Sequence, residues 1–169
     1  MYKEYKGTRK PMMPELREQV PLIKEVLHTM NITTVELPGY EADDVIGTLS
    51  KRGEKDGLDV CVYSGDRDLL QLAAENIMIC IPKTKKGQTT VERYKPEDVK
   101  DLYKVTPVEF IDVKALMGDS SDNIPGVPGI GEKGATAIIS QFGSIENAFQ
   151  HAEEIANTRN KNALLEHYD

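Results

Sequence analysis

The chain has 169 residues, of which 39% are hydrophobic and 29% charged, with a formal net charge of −7. That length supports one good core, or a core with a small appended module, and the composition excludes a disordered chain. No run is apolar enough for a membrane span or a signal segment, and the acidic balance argues against a nucleic-acid binder that relies on bulk positive charge.

The charge is unevenly spread. Lys3, Lys6, Arg9 and Lys10 face only Glu4 in the first ten residues, and Lys83, Lys85 and Lys86 form a second small basic group. The polar segment from Met1 to Pro11, with Tyr2 and Tyr5 interleaved among its cations, reads equally as a solvated terminus or as a phosphate contact with aromatic support. From Pro14 the spacing of Leu16, Val20, Ile23, Leu27 and Met30 predicts a helix with one apolar face, kinked or broken at Pro21. Ile32 to Leu37 is a short β-like run. After the Pro38-Gly39 turn a helix begins at Glu41, with Ala42, Val45, Ile46 and Leu49 as its buried stripe, and ends near Gly53 or Gly57.

Leu58 to Tyr63, apolar on both faces, predicts a central parallel strand. It hands over at Ser64-Gly65 to Asp66-Arg67-Asp68, where a helical pattern starts with Leu69, Leu70 and Leu72. Ile77 to Ile81 is another strand, and Thr89 to Tyr94 returns through the Lys83–Gly87 turn. This order predicts an α/β fold with a mostly parallel sheet flanked by helices. Cys61 and Cys80, each inside an apolar run, read as buried free thiols in a reducing compartment and not as a disulfide or metal pair.

Beyond Pro96 the pattern is helical. Thr106-Pro107-Val108-Glu109 has the form of a capping box with Pro at the first helical position, and the helix it opens ends at Gly118. Asp119-Ser-Ser-Asp122 then leads into the Gly126–Lys133 loop, and a helix resumes with Ala135, Ile138, Ile139 and Phe142 on its buried side. Helix, Gly-rich hairpin, helix lets backbone N–H groups approach a phosphate, with the next helix N-terminus adding its positive end. Ser144 caps a further helix to about Ala156, and Ala163 to Leu165 begin another.

The acidic residues carry the chemical argument. Ligands in open α/β sheets bind beyond the carboxyl ends of strands. Asp66 and Asp68 belong there, and Glu41, Asp43 and Asp44 begin the helix after the preceding run. Asp119 and Asp122 come over the same edge if the helical part folds back. Acidic residues at a helix start also suit its dipole, so part of this pattern needs no ligand. Together, however, hard oxygen ligands without His or Cys select Mg²⁺ or Mn²⁺, and two such ions roughly 3.5–4 Å apart are a device for phosphodiester hydrolysis. His28, His151 and His167 read as ordinary surface residues.

The motifs Tyr5-Lys6-Gly7-Thr8-Arg9, Pro38-Gly39-Tyr40-Glu41-Ala42-Asp43-Asp44, Gly65-Asp66-Arg67-Asp68-Leu69 and Gly118-Asp119 through Lys133, in this order, closely resemble the bacterial 5′-to-3′ exonuclease and flap endonuclease family, particularly the N-terminal nuclease domain of DNA polymerase I. The resemblance covers essentially the whole chain. It implies a PIN-like nuclease core with the lower part of a helical arch over residues 1–105, and a helix-hairpin-helix (H3TH) module over 106–169. It implies Glu41, Asp43, Asp44, Asp66, Asp68, Asp119 and Asp122 as the metal-site carboxylates, Lys6 and Arg9 as catalytic arch residues, and Tyr5 as a base-stacking group. Gly126, Gly129, Gly131 and Lys133 would grip duplex phosphates, with a K⁺ ion bound at the hairpin.

The implied partners are DNA with a 5′ end, flap or nick and a covalently linked polymerase domain, with no membrane, in the cytoplasm at the nucleoid during replication and repair. Family members open with a strand bearing a first metal-binding Asp and carry a second acidic residue before the arch. This chain starts at the arch, so a truncated piece is expected at both ends. Gly134 stands where members commonly carry Thr, at a cost of about 1 kcal/mol in helix stability. Two other readings compete: a non-catalytic DNA-binding fragment of such a nuclease, and an unrelated Mg²⁺-dependent phosphatase or transferase, since Asp66-Arg67-Asp68 after a strand is similar to such sites.

Overall fold

The computed structural model describes residues 2–167, so Met1 of the basic N-terminal segment and the terminal Tyr168 and Asp169 lie outside the described residues. The fold is mixed α/β, with a central sheet and flanking helices. Three strands, β1 (Val60–Tyr63), β2 (Ile77–Lys85) and β3 (Gln88–Tyr94), form the sheet in that order. β1 runs parallel to β2, while β2 and β3 form an antiparallel hairpin. Its tip, Lys86-Gly87, takes positive φ at both residues, the twist that matches a two-residue hairpin.

Among the described residues the sheet has one parallel and one antiparallel pairing, and β1 has a single strand neighbour, β2, where a central strand is expected. Its two apolar faces misled the reading. Val62 is buried, but Cys61 and Tyr63 on the opposite face are exposed. Cys80 is buried as expected and Cys61 is not; both are free thiols. Residues 32–37 form no strand, and Ile32, Val35 and Leu37 are exposed. An apolar run becomes a strand only against a partner's unpaired backbone, and no described strand pairs with it.

Among the described residues the α-helices are α1 (Pro14–Thr29), α2 (Ala42–Lys55), α3 (Pro96–Tyr103), α4 (Glu109–Met117), α5 (Glu132–Phe142), α6 (Ile145–Gln150) and α7 (Thr158–Glu166). α1 continues through Pro21 without a break. Proline there removes one backbone bond, and the turns on either side hold the helix together. None of its residues is buried, and Leu22, Ile23 and Val26 stay exposed.

α2 also departs from its predicted stripe. Ala42 and Leu49 are exposed and Val45 and Ile46 only half-buried, while Ser50 is the buried residue. The helix docks through small side chains, which bring its backbone close to the sheet. A Cβ on Gly53 would lie 2.8 Å from Val60 Cγ2, and one on Gly47 would lie 3.7 Å from Leu72.

The reciprocal bonds of the capping box form, with Thr106 N donating to Glu109 Oε2 at 2.7 Å and Glu109 N to Thr106 Oγ1 at 3.3 Å, but α4 begins only at Glu109 and Pro107 lies in the turn before it, not at the first helical position. α5 buries Ala135, Ile138 and Ile139. Ser144 caps α6 by accepting from Asn147 N, although α6 stops at Gln150 and passes into a short 3-10 turn. One apolar core runs from Ile77 and Ile79 of the sheet through Leu70, Val99, Val113 and Leu116 to Ile139 and Leu164. Each such side chain contributes roughly 1.5–3 kcal/mol by burial.

Gly118 and Gly126 close the loop between α4 and α5. They sit at the ends of a two-residue antiparallel pair, Gly118–Asp119 with Ile124–Pro125. A Cβ on Gly126 would lie 2.3 Å from the Met117 carbonyl carbon, and one on Gly118 would lie 2.2 Å from Gly126 N. Backbone meets backbone here, so no side chain can yield. Gly126→Ala is expected to destabilise the chain by about 3 kcal/mol in urea unfolding, at the upper end of overpacking costs. Gly65→Ala, where nothing lies within 4 Å of the added carbon, should change stability by less than about 0.5 kcal/mol.

Candidate metal and nucleic-acid site

Three turns present the acidic residues, and each holds its carboxylates by local hydrogen bonds. At the start of α2, Glu41 is the N-cap residue and its backbone N–H donates to Asp44 Oδ2 at 3.0 Å. After β1, Asp66 caps the 3-10 turn Arg67–Leu72 by accepting from Asp68 N at 2.9 Å, while its own N–H donates to Ser64 Oγ. In the loop after α4, Asp119 Oδ1 accepts from Ser121 N (2.8 Å), Ser121 Oγ (2.6 Å) and Asp122 N (3.2 Å).

Cations join these turns across the fold. Lys114, on α4, reaches Asp68 Oδ1 at 2.9 Å and Asp119 Oδ2 at 3.2 Å. The N-terminal segment supplies the others. Lys6 is hydrogen-bonded to Glu41 and Arg9 to Asp122, and the Tyr5 hydroxyl donates to Glu41 Oε2 at 3.1 Å or Asp122 Oδ2 at 3.3 Å. The Lys6 ammonium also lies 4.8 Å from the Tyr5 ring centroid, within cation–π range. Backbone contacts anchor the segment, with Lys6 N donating to Asp122 O and Asn123 Nδ2 to Glu4 O, both at 2.8 Å. The solvated-terminus reading thus fails for Tyr5 and Lys6.

Electrostatics report how close the turns stand. The Asp43 carboxyl is raised above its ordinary value, first by burial and then by the charges of Asp66, Glu41 and Asp68. Asp119 is held down to about 2, chiefly by the Ser121 hydroxyl and then by Lys114, against an opposing contribution from burial. Lys114 is raised because Asp68 and Asp119 outweigh the burial that acts against its charge.

Among the described residues, no three His, Cys, Asp or Glu side chains converge closely enough to hold one ion. The donor chemistry nevertheless fits a hard divalent cation, being all carboxylate oxygen and crowded enough to disfavour the charge on Asp43. His28, His151 and His167 are exposed, and His151 Nδ1 lies 3.0 Å from Asn147 O.

The hairpin residues divide. Gly126 is committed to backbone packing. Gly129 takes φ +88°, and the Arg159 guanidinium lies 3.4 Å from where its Cβ would stand. Gly131 is the N-cap of α5, with open space around it, and Lys133 is exposed. A Cβ on Gly134 would lie 2.9 Å from the Asn160 amide nitrogen, so Asn160 packs where a larger residue would project. Lys114, Arg159 and Asn160 were not singled out from the sequence. Lys114 is a basic residue in a last helical turn, which is common, and nothing local marks its distant partner Asp68.

Residues 1–104 match the family described as 5′-3′ exonuclease, N-terminal resolvase-like domain, and residues 105–169 match 5′-3′ exonuclease, C-terminal SAM fold. The chain belongs to the 5′-3′ exonuclease family. It is 52% identical over 168 residues to DNA polymerase I of Bacillus subtilis and 46% identical over 154 residues to that of Caldicellulosiruptor bescii. These alignments cover 99% and 91% of this chain but 19% and 18% of the relatives, so it spans about a fifth of their length.

Among solved structures, the T5 5′-exonuclease with bound zinc ions superposes with a TM-score of 0.76 at 27% identity, over 96% of this chain and 62% of that one. The catalytic core of Rad2 in complex with DNA substrate superposes at 0.62 and 17% identity, over 95% and 51%, a likeness of fold.

Two pH-dependent outcomes follow. Because the folded value of Asp119 lies below the ordinary 3.8, its contribution to stability is present above that value and is lost as pH falls toward about 2. Ser121→Ala should move this loss to higher pH in acid-unfolding curves. Asp43 has the opposite sign: its raised value means stability is lost as pH rises through it. Asp43→Asn should therefore raise the metal-free melting temperature by a degree or two at pH 7, with the gain fading at acidic pH. The effect is small because the group is largely solvated.

Proposed function

We propose that this chain is a nuclease module that hydrolyses DNA phosphodiesters near a 5′ end, flap or nick, using two Mg²⁺ or Mn²⁺ ions. The observation that carries this reading is that Lys6 and Arg9 engage Glu41 at the start of α2 and Asp122 in the loop after α4, while Lys114 joins that loop to Asp68 in the turn after β1. Two divalent ions would supply an activated water and stabilisation of the leaving oxygen. Glu41, Asp43, Asp44, Asp66, Asp68, Asp119 and Asp122 would hold them.

Lys6 and Arg9 neutralise carboxylates in the DNA-free chain and are free to turn to a phosphate once cations replace them. Tyr5, beside them, offers a stacking surface to a terminal base. The core over residues 1–105 would be PIN-like. Residues 106–169 would form the helix-hairpin-helix, with Gly129, Gly131 and Lys133 at the duplex backbone and a K⁺ ion at the hairpin. Gly126 would shape that loop from within. A polymerase domain joined to the same chain and action at the nucleoid in the cytoplasm, in replication and repair, complete the proposal.

A second reading is that of a DNA-binding piece without turnover. It is favoured by the engagement of Glu41, Asp68, Asp119 and Asp122 with side-chain cations and by the lack of three converging ligands among the described residues. The test is labelled 5′-flap DNA with Mn²⁺, for this chain and for Asp66→Ala. Cleavage by the parent alone supports the nuclease. Binding without cleavage by either supports the second reading. Asp66→Ala should leave duplex affinity within a few-fold, whereas Lys133→Ala should weaken it and reduce the salt slope by about one.

A further inference from the structure

Cys61 and Cys80 lie on the neighbouring strands β1 and β2, on the same side of the sheet. In the parallel register Cys61 stands opposite Met78 and Cys80 opposite Tyr63, which makes the cysteines diagonal neighbours. Their sulfurs are 3.1 Å apart, closer than two unbonded sulfur atoms ordinarily rest. Cys61 is exposed and Cys80 is 3% exposed. Here are an accessible thiol and a sheltered one, already in contact.

We infer that Cys61 and Cys80 form a reversible cross-strand disulfide when the chain meets a peroxide. The Cys61 thiolate attacks a peroxide oxygen and breaks the O–O bond, leaving a sulfenic acid on Cys61 and releasing hydroxide when the oxidant is hydrogen peroxide. The Cys80 sulfur then attacks the Cys61 sulfur. The S–O bond breaks, and the hydroxyl leaves as water with the Cys80 proton. Two electrons pass from the thiol pair to the peroxide in total. The order follows from access, and it agrees with the upward push that burial gives the Cys80 thiol, which makes it the poorer first nucleophile.

Diagonal Cα atoms in a sheet stand roughly 7–8 Å apart, whereas bridged cysteines need about 4.4–6.8 Å. Closure therefore slides β1 along β2, which shortens the diagonal between the two backbones. β1 can follow because it has one described strand neighbour. The movement does not stay local: Ser64 N donates to Cys80 O at 3.0 Å, and Ser64 Oγ accepts from Asp66 N at 3.1 Å. The disulfide thus links oxidant exposure to the turn that carries Asp66.

The test treats the dilute full chain with hydrogen peroxide, alkylates free thiols in denaturant and digests with trypsin. Cleavage after Lys55, Arg67 and Lys83 puts the two cysteines on separate peptides, 56–67 and 68–83. The expected result is a linked pair lighter by two hydrogen atoms. It should be reversed by dithiothreitol, absent in Cys80→Ser, and formed faster in the folded chain than in urea. Full alkylation of both cysteines after peroxide, sulfinic acid on Cys61 beside a free Cys80, dimers joined through Cys61, or equal rates in urea would each overturn the assignment.

Discussion

Carboxylates from three separate turns repel one another, and cations from elsewhere in the chain hold those turns together. Seven acidic side chains sit on three turns, and three cations, Lys6, Arg9 and Lys114, stand among them. Like charges on neighbouring turns repel even under the screening typical of a protein surface. Burial raises the Asp43 carboxyl first, and the charges of Asp66, Glu41 and Asp68 add to it. The cations do more than neutralise, because each joins chain segments far apart in sequence. Lys114 ties the turn after β1 to the loop after α4, while Lys6 and Arg9 hold the N-terminal segment against α2 and that same loop.

Backbone contacts set the stage for this electrostatic arrangement. Gly118 and Gly126 bring two stretches of main chain closer than any side chain would permit, which fixes where Asp119 and Asp122 emerge. Val127 N donates to Leu116 O at 2.8 Å and closes the same junction. On the other side of the site, Gly53 lets α2 approach Val60 of β1 and Gly47 lets it approach Leu72 of the 3-10 turn, so Glu41 and Asp43 start from a helix held near β1. Small residues position the acidic ones on both sides. Their role is steric, and it is separate from any approach of backbone to phosphate.

What could be read in advance was what short-range chemistry decides. The bonds between Thr106 and Glu109, the start of α2, the Ser144 cap and a turn within Lys83–Gly87, which the structure narrows to Lys86-Gly87, all lie within a few residues of their cause. The acidic and basic candidates were likewise visible, because charge in a turn is visible without a fold. What the sequence hid was partnership. Residues 32–37 have the composition of a strand but no described neighbour, β1 looks central and has one described strand neighbour, and Leu49 looks buried while Ser50 is. Lys114 and Arg159 are ordinary surface cations until packing brings them to Asp68 and Gly129. Cys61 seemed buried because its neighbours are apolar, yet alternation along β1 turns it outward.

Acidic residues at helix starts invite either a capping explanation or a ligand explanation, and the local hydrogen bonds here are compatible with both. Asp119 gives Oδ1 to three local donors and Oδ2 to Lys114. Asp66 uses Oδ1 for Asp68 N, and Asp44 uses Oδ2 for Glu41 N. In each case a local bond fixes the rotamer of the carboxylate and leaves a second oxygen with a set direction. A freely rotating carboxylate would lose side-chain entropy on meeting a cation, whereas one already fixed by its turn has less to lose. Capping is therefore the means by which these turns hold oxygen atoms ready for charge. Whichever cation those oxygens meet, side chain or metal, meets them already oriented.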